Sequence, residues 1–80
     1  MLVNQYNISF PQLLTLEHNQ SLRLAPQVHE LQILSGCAWL TITGKDIILM
    51  NKEIASIPKT QYGAVISAIS QEPLIVELRS

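Results

Sequence analysis

The stretch Val28–Met50, VHELQILSGCAWLTITGKDIILM, reads as three antiparallel strands joined by two tight turns. With Ser35-Gly36 as a two-residue hairpin turn, Ile33 faces Ala38, Leu31 faces Leu40 and His29 faces Ile42. With Gly44-Lys45 as the next turn, Ile42 meets Ile47 and Leu40 meets Leu49. Both turns gather Leu31, Ile33, Ala38, Leu40, Ile42, Ile47 and Leu49 on one side, which is the predicted core face. A slip of one residue would scatter that set over both faces, so burial selects the register. The opposite face collects Trp39, Met50, Ile48, Cys37 and Leu34 among Gln32, Glu30 and Thr41. It is more apolar than a solvated sheet face should be.

Shorter strands extend the pattern on either side. Pro11 disfavours a helix across its junction, so residues 1–10 read as an N-terminal arm and residues 11–80 as the domain. Strands are predicted at Gln12–Leu16 and Ser21–Leu24, with a turn over 17–20 between them and a break at Ala25-Pro26-Gln27. After the central stretch come Ile54–Ile57, stopped by Pro58, then Ala64–Ile69 and Leu74–Leu78, separated by the turn Ser70-Gln71-Glu72-Pro73. No window keeps an apolar period near 3.6, so no helix is predicted. Regularly spaced turn signals point to an all-β barrel or sandwich of about seven or eight short antiparallel strands.

Composition narrows the class further. The chain has 80 residues, 48% hydrophobic and 14% charged, where an ordinary soluble domain carries roughly 25% charged residues. So short a chain buries only about 60% of its unfolded surface, and a shared interface would absorb the apolar excess. Net charge is −1, without a basic cluster, and Tyr6, Phe10, Trp39 and Tyr62 are the only aromatic residues. That argues against nucleic-acid binding. A single cysteine excludes an internal disulfide. The start, MLVNQYNISF, lacks the basic and apolar regions of a signal peptide, and no apolar run is long enough to span a membrane. A cytoplasmic protein is expected.

The run L-Q-I-L-S-G-C-A-W-L-T-I-T-G-K-D, a further strand and then I-A-S-I-P resemble the middle strands and proline turn of a cupin. The G-x-x-W-L-T piece, Gly36 to Thr41, is similar to small uncharacterised bacterial cupin-like proteins, and the resemblance covers roughly Leu22 to Leu78. It implies a small cupin-like barrel or jelly roll. Function does not follow from it, because one fold hosts many chemistries. Metal-binding cupins carry a His-x-His pair, a Glu and a later His. Aligned on Gly36, the Glu falls on His29, and the His pair falls at Leu22 and Leu24 or at Arg23 and Ala25. Aligned on Pro58, the glycines of the second motif fall on Lys52 and Thr60 and its histidine on Gly63. A catalytic zinc takes three protein ligands, and this set cannot supply them. No metal and no other cofactor is expected.

Among candidate site residues, His29 is predicted to point inward at the barrel mouth, where Arg23 and Tyr62 could join it around a small ligand. A rim histidine bonded to a neighbouring loop is the structural alternative. Cys37 has no cationic neighbour in sequence that would activate it, and reads as a small packing residue. Trp39 is either covered by the N-terminal strands as a second layer, or open as an interface with Met50, Ile48, Leu34 and Cys37. The expected function is a non-metal, non-enzymatic module acting by self-association or by binding a protein partner. A small-molecule sensor built around His29 is the alternative, and a metal-independent enzyme a third reading.

Overall fold

The computed structural model describes residues 9–59 and 63–80. Its elements are β1 (Gln12–Leu16), β2 (Ser21–Arg23), β3 (Glu30–Ser35), β4 (Cys37–Ile42), β5 (Lys45–Met50), β6 (Ile54–Ser56), β7 (Ala64–Ala68) and β8 (Leu74–Arg79). The expected all-β class holds, and the strands differ from expectation only at their ends. They form two four-stranded antiparallel sheets, ordered β1-β8-β3-β6 and β2-β7-β4-β5. Eight strands in these two orders make a double-sheet jelly roll, with edge strands left open where a closed barrel would have none. No helix among the described residues is long and apolar enough to cross a membrane.

Alternation builds the core. Along β8, Leu74, Val76 and Leu78 are buried while Ile75, Glu77 and Arg79 are half-buried on the other side. Along β4, Ala38, Leu40 and Ile42 are buried while Trp39 and Thr41 are exposed. The inner faces meet as one apolar cluster that includes Leu31, Ile33, Leu49 and Ile66, and it contains no buried polar side chain among the described residues. The inward set expected from the sequence is therefore buried together, with Ile47 only partly covered at its margin.

Two pairings differ from the sequence reading. The strands on either side of Ser35-Gly36 are not a hairpin. β3 pairs with β8 and β6, whereas β4 pairs with β7 and β5 in the other sheet. A bulge at Leu34, between Ile33 and Ser35, bends β3 out of its ladder, and Gly36 (φ +83°) carries the chain across to β4. The second turn is Thr43-Gly44 rather than Gly44-Lys45, so Leu40 meets Ile47 and Ala38 meets Leu49. That shift moves each residue's partner by two positions. Side chains alternate with period two, so the faces survive the change intact.

The corner from β5 to β6 is also a tight turn, with Asn51 (φ 43°) and Lys52 (φ 70°) both left-handed. Its backbone is tied on several sides. Glu53 N–H donates to Met50 O (3.1 Å), Lys52 N–H donates to Ile33 O (2.8 Å), and the Gln32 amide donates to Lys52 O (3.0 Å). A residue with a Cβ pays roughly 1–2 kcal/mol for this conformation, part of which glycine returns as entropy lost on folding. Lys52→Gly, which completes an Asn-Gly pair at this turn, should therefore stabilise the fold by roughly 0.5–1 kcal/mol. Chemical denaturation is the check, and a lower midpoint would mean the lysine side chain holds the corner.

Candidate functional site

The two outer faces differ at their centres, although the β1-β8-β3-β6 face also exposes Leu13 and Ile54 on its edge strands. On the outside of β1-β8-β3-β6, Arg79 donates to Glu77 (2.8 Å) on its own strand and to Glu30 (3.1 Å) and Gln32 (2.7 Å) on neighbouring β3. The hydrogen bonds it donates, to Glu77 first and then to Glu30, favour the charged guanidinium and raise the Arg79 pKa above its ordinary value. This polar network suits a face that meets water, and such surface pairs contribute little stability.

The outside of β2-β7-β4-β5 is apolar at its centre. Cross-strand pairing puts Trp39 beside Ile48 and Cys37 beside Met50. Trp39 is 43% exposed, Ile48 50% and Met50 44%. Across β7, Trp39 is paired with Ser67 and Thr41 with Val65. Beyond those, Ser21 and Arg23 of the edge strand pair with Ser67 and Val65. Ile69 extends the same ladder, its N–H donating to Cys37 O at 3.2 Å. The N-terminal strands do not cover Trp39: β1 lies in the other sheet and β2 lies two strands away, at the edge of the same sheet. Of the five residues expected to share this face, Leu34 does not. It occupies the β3 bulge in the opposite sheet and is half-buried, because the chain changes sheets at Gly36. Ile69 and Val65 were missed in the sequence. Their alternation in AVISAI is visible there, but the identity of their neighbouring strand is not.

The ligand candidates do not converge. His29 was expected to face inward opposite Ile42; it is exposed, and it sits just before β3. Its N–H donates to Arg79 O (2.9 Å) and its carbonyl accepts from Ile57 N–H (2.7 Å). Ile42 instead pairs with Ala64 and Lys45 in the other sheet, which is why the expected opposition fails. Arg23 is exposed on β2, with its side chain running close to Gly63. Tyr62 lies outside the described residues.

Two small cavities open at the sandwich margin. One, about 110 Å³, lies among Leu24, Val28, Ile57, Pro58, Lys59 and Gly63. The other, about 180 Å³, lies between the β1 and β2 edges among Leu13, Leu14, Leu22, Arg23, Leu24 and Leu78. Both are lined chiefly by aliphatic side chains, and His29 lines neither. No group of three or more His, Cys, Asp or Glu side chains among the described residues is placed to hold a metal. Comparison with protein-family models, with curated proteins and with solved structures finds no match to this chain.

Proposed function

We propose that this chain is a protein-association module that works through the outer face of β2-β7-β4-β5, in the first place with a second copy of itself. The observation that carries the reading is the uncovered run of Trp39, Ile48 and Met50 on adjacent strands. Together they expose roughly 300 Å² of apolar surface, about what the largest patch on a typical monomer amounts to. A four-stranded face of this length is roughly 20 Å square. With side-chain relief it can bury about 600 Å² per copy, the lower end for a specific interface. Tryptophan at the centre of such a patch is the residue most often found to dominate binding energy. The core filled by leucine and isoleucine supports association over a ligand-holding barrel, as does the scatter of His29 and Arg23 over different sheets.

The jelly-roll topology supports the resemblance to cupins, while the residues at the cupin ligand positions favour a role without metal. Cys37, half-buried beside Met50, fits a cytoplasmic setting in which the thiol stays reduced.

Light scattering at increasing chain concentration tests the proposal. Wild type should associate, and Trp39→Lys should give a monomer with unchanged circular dichroism. A wild type that stays monomeric at millimolar concentration, or a variant that associates as wild type does, would overturn it.

A further inference from the structure

Resting on that reading, we infer that two copies pack face to face about a two-fold axis parallel to the strands. In this arrangement Arg23 of each copy lies against the partner's Asp46. The inference comes from how the face is laid out. One row across the sheet runs Arg23, Val65, Thr41, Asp46, with the cation on the edge strand β2 and the anion on the opposite edge strand β5. The next row runs Ser21, Ser67, Trp39, Ile48, with small side chains on the β2 side and large ones on the β5 side. Charge and bulk are thus both antisymmetric from edge to edge.

A two-fold axis lying in the interface, parallel to the strands and between β7 and β4, reverses the order of strands and keeps each row in place. Arg23 then meets the partner's Asp46, and Trp39 meets the partner's Ser67. Ile48 meets the partner's Ser21. Large residues seat on small ones at both ends, and both ion pairs form at once, as an isologous interface requires. The serines lose little by being covered, because Ser21 Oγ and Ser67 Oγ already bond each other at 2.7 Å. An axis perpendicular to the strands would instead set β2 on the partner's β2 and β5 on the partner's β5, so that Arg23 and Asp46 would not meet. Packing with strands nearly aligned is also how twisted sheets stack.

Edge-to-edge pairing is the competing route, and the edges are blunted against it. β2 and β6 have three residues each, and Pro11 precedes β1. On β5, Lys45 takes the core-side position at one end, and Glu53 occupies Met50 N–H (2.8 Å) and Met50 O (3.1 Å) at the other.

Sedimentation velocity on the full chain decides the matter, using Arg23→Glu, Asp46→Lys, the double variant and an equimolar mixture of the two single variants. Each single variant sets like charges against each other and should self-associate at least about tenfold more weakly than wild type. The double variant should recover wild-type association, and the mixture should form a heterodimer. Circular dichroism confirms that the single variants fold, as two exposed positions should allow. Single variants that associate as wild type does would overturn the arrangement, as would a double variant or mixture that stays monomeric. If Trp39→Lys still dissociates the protein in that case, association through the face stands and only its geometry falls. A monomeric wild type would remove both.

Discussion

Gly36→Ala should destabilise the protein by about 2–5 kcal/mol, through two separate causes. Gly36 sits at φ +83°, where a residue with a Cβ pays roughly 1–2 kcal/mol. A Cβ added there would also lie 2.7 Å from Pro73 O and 3.0 Å from Leu74 Cα. Both are backbone atoms at the entry to β8, so the conflict is not relieved by turning a side chain, and one sheet must move against the other. Overpacking of this sort typically costs a further 1–3 kcal/mol or so. Gly44→Ala separates the two causes. Gly44 has φ +74° but nothing within 4 Å of its would-be Cβ, so it carries the conformational cost alone. Thermal melts at matched chain concentration read the difference, since association would otherwise shift the midpoints. In a domain of this size each kcal/mol moves the midpoint by roughly 4–8 °C. Equal midpoints for the two variants would show that the crossover does not press against β8.

Leu40→Ala should cost about 2–5 kcal/mol, the range for deleting a fully buried leucine side chain. Leu40 is wholly inaccessible to solvent and sits mid-strand in β4, paired with Ile47 on one side and Ile66 on the other. Tightly laddered strands on both sides leave little freedom for the site to collapse around the missing atoms, which favours the upper part of that range. A chain of this length has a total stability of roughly 4–12 kcal/mol, so the variant should lose a large share of it and unfold at a much lower denaturant concentration than wild type. Lys45→Ala, at an exposed position one strand away, should stay within about 0.5 kcal/mol of wild type. Urea unfolding gives both values. Similar midpoints would mean that β4 buries the opposite face.

The two substitutions mark the boundary between local and non-local information in this chain. The role of Leu40 was legible in the sequence because alternation along W-L-T-I depends only on the strand's own period. The faces of β3, β4 and β5 came out correctly even though the β3 partner was wrong and the second turn was displaced. The role of Gly36 was not legible. Ser35-Gly36 has the chemistry of a hairpin turn, and nothing nearby in sequence shows that Pro73, far along the chain, comes to lie against it.

The candidate site divides in the same way. Sequence alone determined that Trp39, Ile48 and Met50 point away from Leu40, since side chains one residue apart on a strand face opposite sides. Only the tertiary structure decided that no strand among the described residues covers Trp39, that Leu34 belongs to the other sheet, and that His29 is exposed. It alone set Arg23 and Asp46 in one row at opposite edges. Those facts depend on which strands become neighbours. That choice is made by burying both inner faces at once, over separations too long for any local pattern to record.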